Sequence, residues 1–533
     1  MNCKNAVCTK TFWVELITML YHICYAMIEP SIKVHIYEAL CSTGNLTIDC
    51  STATNKDRIS IALEDAVQKY AANSLVYLKL MRSLPALLII LFCGAWSDNI
   101  GRKLPILFPF IGMAFSLLLY LISYAHGVDV YSLILAGGFA SGLFGEVGLI
   151  MMAGYSYITD MTEISERTNR LGRLMAMMFF GQFLGSLIVG LMIEATLVRN
   201  ILIFALLINC LSIIVIVTFL QDSLSDKSTT VLLFRPTYLV ETWQVIAKPR
   251  EERKRLYIAL ILTCIALHQA CLWGEFDITM LYVRHKPLWW NASKYGYYLA
   301  GGSFASGLGT ILLLPILSGR FNVPDFSLVL SAVAFKVLQM VWSSFSSQDW
   351  MVFLGLPMMI VSSMFVPALK SVLSKLITED EVGKIFGLSA FGETIAGLLG
   401  ALIFTSVYGA AVHLWKGFAF ILEAVVNVGV FVVIFWVARK YKSPFMENIG
   451  IKKEPLTVRV TNNDFNNKQS ANFDTQEFTS LQYEEAVASS QQRYGSPDSD
   501  HRDSESYQVE QEPFMEQPEN DGLRPTQQAS YGY

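Results

Sequence analysis

Charge is scarce in this chain. Asp, Glu, Lys and Arg supply only 16% of its 533 residues, against 53% hydrophobic residues, and the mean hydropathy is +0.43. That is too oily for an ordinary soluble protein. The net charge of −4 offers no basic surface to a nucleic acid. There is no P-loop, which argues against ATP-driven work. HExxH, zinc-ligand spacing and a credible nucleophile triad are missing too, so an enzyme reading finds no footing. A cleavable signal is also lacking. The first apolar run, Thr11 to Pro30, carries Glu15, His22 and Glu29 without a small-residue cleavage site, and it reads as a retained helix.

What the chain has instead is long apolar runs. Stretches of roughly 20 residues, enough to cross about 30 Å of hydrocarbon, recur near 12–31, 73–97, 104–125, 130–159, 171–195, 200–220, 256–282, 294–317, 324–345, 350–376, 384–409 and 415–438. Each is expected to be a helix, because backbone amides facing lipid must be satisfied within their own segment, and the runs lack the alternation of barrel strands. The fold class is therefore an all-α membrane protein of about twelve transmembrane helices.

Lys and Arg set the orientation. Arg102-Lys103, Arg167/Arg170/Arg173, Lys248 to Arg255, Arg320 and Lys375/Lys384 follow the even-numbered spans, and Arg439-Lys440-Lys442 follows the last. By the positive-inside rule these connections, and both termini, are cytoplasmic. The glycosylation sequons at Asn45 and Asn291 fall in the first and seventh connections, which this topology places outside.

The chain divides into a six-span bundle over 1–220, a polar cytoplasmic linker over 221–255, a second six-span bundle over 256–438, and a tail over 439–533. The tail is rich in Gln, Asn, Ser, Glu and Pro and is expected to be disordered, with room for cytoplasmic binding proteins. The basic run in the linker fits a positive-inside anchor, with a lipid-headgroup site as the other reading. A repeat links the bundles. Residues 173–190, "RLMAMMFFGQFLGSLIVG", overlay 384–401, "KIFGLSAFGETIAGLLGA", matching Arg173 to Lys384, Phe180-Gly181 to Phe391-Gly392 and Gln182 to Glu393. Two pseudo-symmetric halves around a central cavity are the architecture of a rocking transporter.

The densest charge cluster between spans is Gly94-Ala-Trp-Ser-Asp98-Asn-Ile-Gly101-Arg102-Lys103. This G-x-x-x-D-x-x-G-R-K pattern resembles the signature loop of the major facilitator superfamily. The resemblance implies that Asp98 and Arg102 hold helix ends together on the cytoplasmic face as gate residues, without touching substrate. "YSYITDMTEISERTNR" (155–170), "DITMLYVRHKPLWWNASKYGYYLAGGSFAS" (277–306) and "PALKSVLSKLITEDEVGKIFGLSAFGET" (367–394) are similar to the family of the proton-coupled folate transporter, the thymic stromal cotransporter and a lysosomal paralogue (solute carrier family 46-like). The resemblance covers both bundles but not the tail.

A charged side chain inside a bilayer must be paired, reach water or serve a function. Those here are Glu15, His22, Glu29, Lys79, Arg82, Glu146 and Asp160, then His268, Glu275, Asp277, Lys336, Lys370, Glu393 and Glu423. The candidates for proton coupling or substrate binding are Arg82, Glu146, Asp160, His268, Asp277, Lys336, Lys370 and Glu393. A proton-coupled carrier needs an acid tuned by burial or a partner, and a base that can hold that acid or an anionic cargo. The family resemblance implies such roles for Asp160, in a Y-x-x-D-x-T pattern, for Lys370 and for Glu393. Each has a plainer reading. Asp160 could pair with Arg167 or Arg170, Lys370 and Glu393 could form a permanent pair, and Lys336 could compete for Glu393. The family's functional histidine falls on Leu272, while His268 lies one helical turn earlier on the same face. Trp289 stands where the folate transporter has an extracellular cysteine, so that loop-to-loop disulfide is not expected. Of nine cysteines, only Cys41 and Cys50 are expected outside, where they can pair with each other, and no metal cluster is implied.

These readings converge on a secondary active transporter. Proton-coupled symport of a small organic anion (folate-like, conjugated steroid or muropeptide-like) by alternating access is expected, with protons as the coupling ion and no cofactor. The other reading is a non-transporting membrane receptor with a transporter fold. Plasma membrane and lysosomal membrane both fit.

Overall fold

Pro367 and Gly145 decide where two of the spans break. In the computed structural model, the described residues are 3–43, 58–125, 129–193, 196–223, 232–248, 250, 253–284, 287–290, 292–411 and 414–441. They form fifteen α-helices. These are α1 (Cys3–Thr43), α2 (Arg58–Ile100), α3 (Lys103–Ile122), α4 (Val130–Leu143), α5 (Glu146–Met161), α6 (Arg167–Ile193), α7 (Val198–Phe219), α8 (Pro236–Ala247), α9 (Lys254–Arg284), α10 (Ala292–Leu308), α11 (Asp325–Ser344), α12 (Asp349–Ser362), α13 (Phe365–Lys375), α14 (Val382–Ala411) and α15 (Phe418–Lys440). Two π-helical turns, Gly309–Leu313 and Ile316–Arg320, extend α10.

Among the described residues, 12 segments are long and apolar enough to cross a membrane. They coincide with the twelve apolar runs of the sequence. The fourth joins α4 to α5 and the tenth joins α12 to α13. Pro367 has no N–H to offer the carbonyl of Ser363, and its ring crowds that carbonyl, so the helix stops at Ser362 and restarts at Phe365. In the fourth span Gly145 (φ 80°) and Glu146 (φ 49°) are both left-handed, which reverses the twist and turns Glu146 out of the helix line. Asp129 starts that span by capping α4, accepting from the Tyr131 N–H at 3.1 Å and the Ser132 hydroxyl at 2.6 Å. The Ser132 bond, joined by the backbone amides, holds the Asp129 carboxyl below its usual range.

The helices are apolar outside and carry polar groups inside, as lipid requires. On α7, Phe204, Leu207, Leu211 and Ile214 form an exposed stripe, while Asn209 and Ser212 are buried. Asn209 donates to the Phe110 carbonyl of α3 at 3.0 Å.

One pairing scheme occurs twice. α1 packs on α6 as α9 packs on α14, α3 on α7 as α11 on α15, and α3 on α4 as α11 on α12. Between the two sets, α2 meets α14 and α6 meets α10. These seams bring the charged residues of the first six spans against those of the last six. The tail from 442 onward lies outside the described residues, and so does any partner it would bind.

Candidate functional site

Asp98 lies in the last turn of α2, facing the start of α14. Its Oδ1 accepts from the Gly383 N–H at 2.8 Å and its Oδ2 from the Lys384 N–H at 3.2 Å. A carboxylate at a helix N-terminus meets unsatisfied amides and the positive end of the dipole. Arg102 is almost wholly buried, at 1% exposure. Its Nη2 lies 2.8 Å from Asp98 and its Nε lies 2.9 Å from Asp160 Oδ2. The backbone explains both motif glycines. A Cβ on Gly94 would lie 2.9 Å from the Gly383 carbonyl, so α2 and α14 could not cross as closely. Gly101, at φ +98°, would drive a Cβ to 2.3 Å from Asp222 Oδ1, which accepts from the Arg102 N–H at 2.8 Å. Lys103 reaches the Val217 carbonyl at 2.9 Å, a cation at the C-terminal end of α7.

The partner of Asp160 is therefore Arg102, and neither Arg167 nor Arg170 takes that place. α5 ends at Met161 beside the α2–α3 turn, while Arg167 crosses to the Ser374 carbonyl at 3.0 Å. At the same end of the bundle Thr168 donates to Asp325 at 2.8 Å, and Lys248 and Arg250 clasp Glu381 at 2.8 and 2.6 Å. Asp222, Asp325 and Glu381 escaped the sequence reading because they lie in connections or at helix starts, where the sequence carries no sign that a charge is buried, as Glu381 is.

Farther into the bundle, Lys370 on α13 is 2% exposed. Its Nζ lies 2.8 Å from Glu393 Oε1 of α14 and 4.1 Å from the ring centroid of Tyr155 on α5. Ser389 donates to the same Glu393 oxygen at 2.7 Å. The Tyr155 hydroxyl is turned away toward Met175 Sδ at 3.0 Å, leaving the ring face to the ammonium. The restart of the helix at Phe365 aims Lys370 across the seam. Glu393 is 18% exposed on its side chain, so the acid keeps an open side that the base lacks.

In the first six spans Arg82 of α2 lies between two acids, 2.8 Å from Glu29 of α1 and 3.0 Å from Glu146. A small cleft beside them is lined by Tyr21, Tyr25, Met113, Ser116 and Ser141. The left-handed backbone at Glu146 places its carboxylate there. Lys79 and Asp277 approach to 4.0 Å between α2 and α9, with Lys79 also over the Trp273 ring at 5.1 Å. This joins the two sets of spans at a second level.

Lys336 does not compete for Glu393. It is buried on α11 and paired with Glu275 of α9, whose other oxygen accepts from the Gln339 amide at 2.8 Å. α9 stands between Lys336 and the seam. His268 likewise faces inward, 3.1 Å from Asn427 and packed on Phe365, apart from the Lys370–Glu393 pair. Among the described residues, no group of three His, Cys, Asp or Glu is placed to hold a metal ion. Asn45, Asn291 and Cys50 lie outside the described residues, and the Cys41 side chain with them, so the sequons and the disulfide stay sequence expectations.

The model of the major facilitator superfamily matches residues 16–324, more than half of the chain. The lysosomal proton-coupled steroid conjugate and bile acid symporter SLC46A3 of Gallus gallus is 25% identical over 431 residues, 78% of this chain and 91% of that protein. The proton-coupled folate transporter of Rattus norvegicus is 26% identical over 332 residues, 62% of this chain and 71% of that protein. Among solved structures, the human organic anion transporter MFSD10 (TETRAN) superposes with a TM-score of 0.64 at 16% identity, over 80% of this chain and 99% of that one. The FucP transporter in the outward conformation gives 0.57 at 14% identity, over 81% and 99%. Those two likenesses speak for the fold, whereas the family match and the motif around Asp98 speak for descent. The chain belongs to the major facilitator superfamily and is solute carrier 46-like within it.

Proposed function

We propose that this chain is a secondary active transporter that carries a small organic anion together with protons by alternating access. The observation that carries the reading is Lys370, a buried cation on the seam between the two sets of spans, paired with an acid from its own set and seated on an aromatic ring from the other. Such a cation can neutralise Glu393 while the cavity is empty. Once Glu393 takes a proton, Lys370 is free for the carboxylate or sulfate of a cargo. Relatives named as carriers of folate or of steroid conjugates and bile acids favour anionic cargo of that class.

Asp98, Arg102 and Asp160 act as the gate at the basic-loop end, which we assign to the cytoplasm with both chain termini. Closing that end leaves the cavity to open on the other side. The gradient supplies about 1.4 kcal/mol per proton for each pH unit, and the membrane potential about 2.3 kcal/mol per charge per 100 mV. One proton therefore supports useful accumulation. Plasma and lysosomal membranes both provide an acidic face, and the relatives include a protein named as lysosomal.

The test is tracer uptake of a panel of folates, steroid sulfates and muropeptides by cells expressing the chain, at acidic and at neutral external pH. Accumulation of an anion that rises with acidity supports the reading. Saturable binding without accumulation at either pH would make the chain a receptor with a transporter fold.

A further inference from the structure

Glu423, in the second turn of α15, is completely buried at 0% exposure, and neither of its carboxylate oxygens has a hydrogen-bond partner. The side chain lies against α9 where that helix has no side chain. A Cβ on Gly274 would sit 2.8 Å from Glu423 Oε1.

The groups around it are accounted for. From α9 come His268, Cys271 and Glu275, and from α11 come Lys336 and the neutral Gln339. Lys336 and Gln339 are both committed to Glu275. Asn427, one turn along α15, donates to the Glu423 backbone carbonyl at 2.9 Å, and its side-chain oxygen faces the His268 ring at 3.1 Å. From α14, Phe404 and Tyr408 join Cys271 and Phe420 in an apolar cluster. The nest thus holds two carboxyl groups and one ammonium, and the ammonium is taken. An ionised carboxylate without donors in a membrane interior carries a cost that proton uptake removes.

We propose that Glu423 is a proton-binding site of this chain, separate from Lys370 and Glu393, in which one proton and one ammonium serve two carboxyl groups. With Lys336 on Glu275, the proton resides on Glu423. If Lys336 turns to Glu423, the O–H bond there breaks, and the proton forms a new O–H bond on Glu275. The nest stays neutral throughout. The site lies within the packing of α9, α11 and α15, so its state sets how those helices fit together and touches no cargo. That consequence for transport rests on the function proposed above, whereas the proton itself does not.

Infrared difference spectroscopy on the full chain in lipid nanodiscs, titrated from acidic to alkaline buffer, reads the carbonyl stretch of a weakly hydrogen-bonded carboxylic acid. The wild type is expected to show this band at neutral pH and lose it in alkali. Glu423→Gln is expected to abolish it, and Glu393→Gln to leave it in place. Lys336→Met removes the ammonium, and a second acid band from Glu275 is expected. Should Glu423→Gln not be recovered folded, Glu423→Asp is expected to shift the band's frequency. A wild type without the band, a band that survives Glu423→Gln, one unmoved by Glu423→Asp, or one that persists in alkali overturns the proposal. A chain that shows the band but accumulates no anion keeps this site and loses the transport reading. A chain that accumulates anions without the band does the reverse.

Discussion

Lys370 and Glu393 meet at 2.8 Å from the tenth and eleventh spans, while the ammonium rests 4.1 Å above Tyr155 of the fourth. Ion pair and ring contact together tie a titratable group to the seam that alternating access must open. Replacing Glu393 by Gln mimics the protonated acid. Uptake of anionic cargo by Glu393→Gln is expected to lose its dependence on external pH while exchange of cargo across the membrane persists. An unchanged pH profile would move the coupling proton elsewhere and leave the pair structural.

Lys370→Ala removes the only ammonium of this pair. A charge-assisted hydrogen bond is worth about 1.5–3 kcal/mol, so the half-saturating concentration of an anionic cargo is expected to rise at least about tenfold. A neutral analogue of the same cargo should be far less affected. Equal losses for charged and neutral cargo would place Lys370 outside the binding step.

The contribution of the Tyr155 ring can be separated from that of its hydroxyl. Tyr155→Phe loses only the bond to Met175 and is expected to transport close to the wild-type rate. Tyr155→Leu removes the aromatic face from Lys370 and is expected to weaken cargo-dependent turnover by about two- to thirtyfold, from a cation–π contact of ~0.5–2 kcal/mol. Indistinguishable Phe and Leu variants would refute the ring's role.

Asp98→Ala strips the cap from α14 and leaves Arg102 to Asp160. Maximal turnover is expected to fall about tenfold or more, the size of a lost bond to a charged group, with apparent affinity for cargo preserved and the protein still reaching its membrane. If affinity changes while the maximal rate holds, Asp98 is not part of the gate.

Orientation is tested through the sequons. Enzymatic deglycosylation should raise the electrophoretic mobility of the wild type, and the combined Asn45→Gln and Asn291→Gln variant should show no such change. A tail epitope accessible on intact cells would invert the assignment.

The twelve spans were legible because lipid imposes a long, simple signal, and each apolar run became helical, the fourth and the tenth as two helices each. Asp98 and Arg102 were legible as a unit because their spacing places both at one turn. Lys370 and Glu393 could be paired from sequence because each is the one charge in its apolar run away from the run's ends. The choice of partner is where sequence fell short. For Asp160 the plainer of two readings is a bond along its own chain to Arg167 or Arg170, yet it bonds across to Arg102, and Lys336, a possible competitor for Glu393, pairs with Glu275. Both outcomes depend on which helix stands between two charges, and interhelical order leaves no periodic trace. Glu146 reads from sequence as a coupling or substrate candidate, but the run "LFGEVG" does not spell out its left-handed backbone or its pairing with Arg82.

The grip of Asp98 on Gly383 and Lys384 is made to main-chain amides. A catch of this kind uses no opposing side chain, and it lies buried, where dissolved ions screen far less than at an exposed surface. Its holding strength should thus be nearly indifferent to ionic strength and to which side chain occupies position 384, with proline the exception because it has no amide hydrogen to give. A carrier that works between compartments of different salt content keeps the same threshold for opening in each of them.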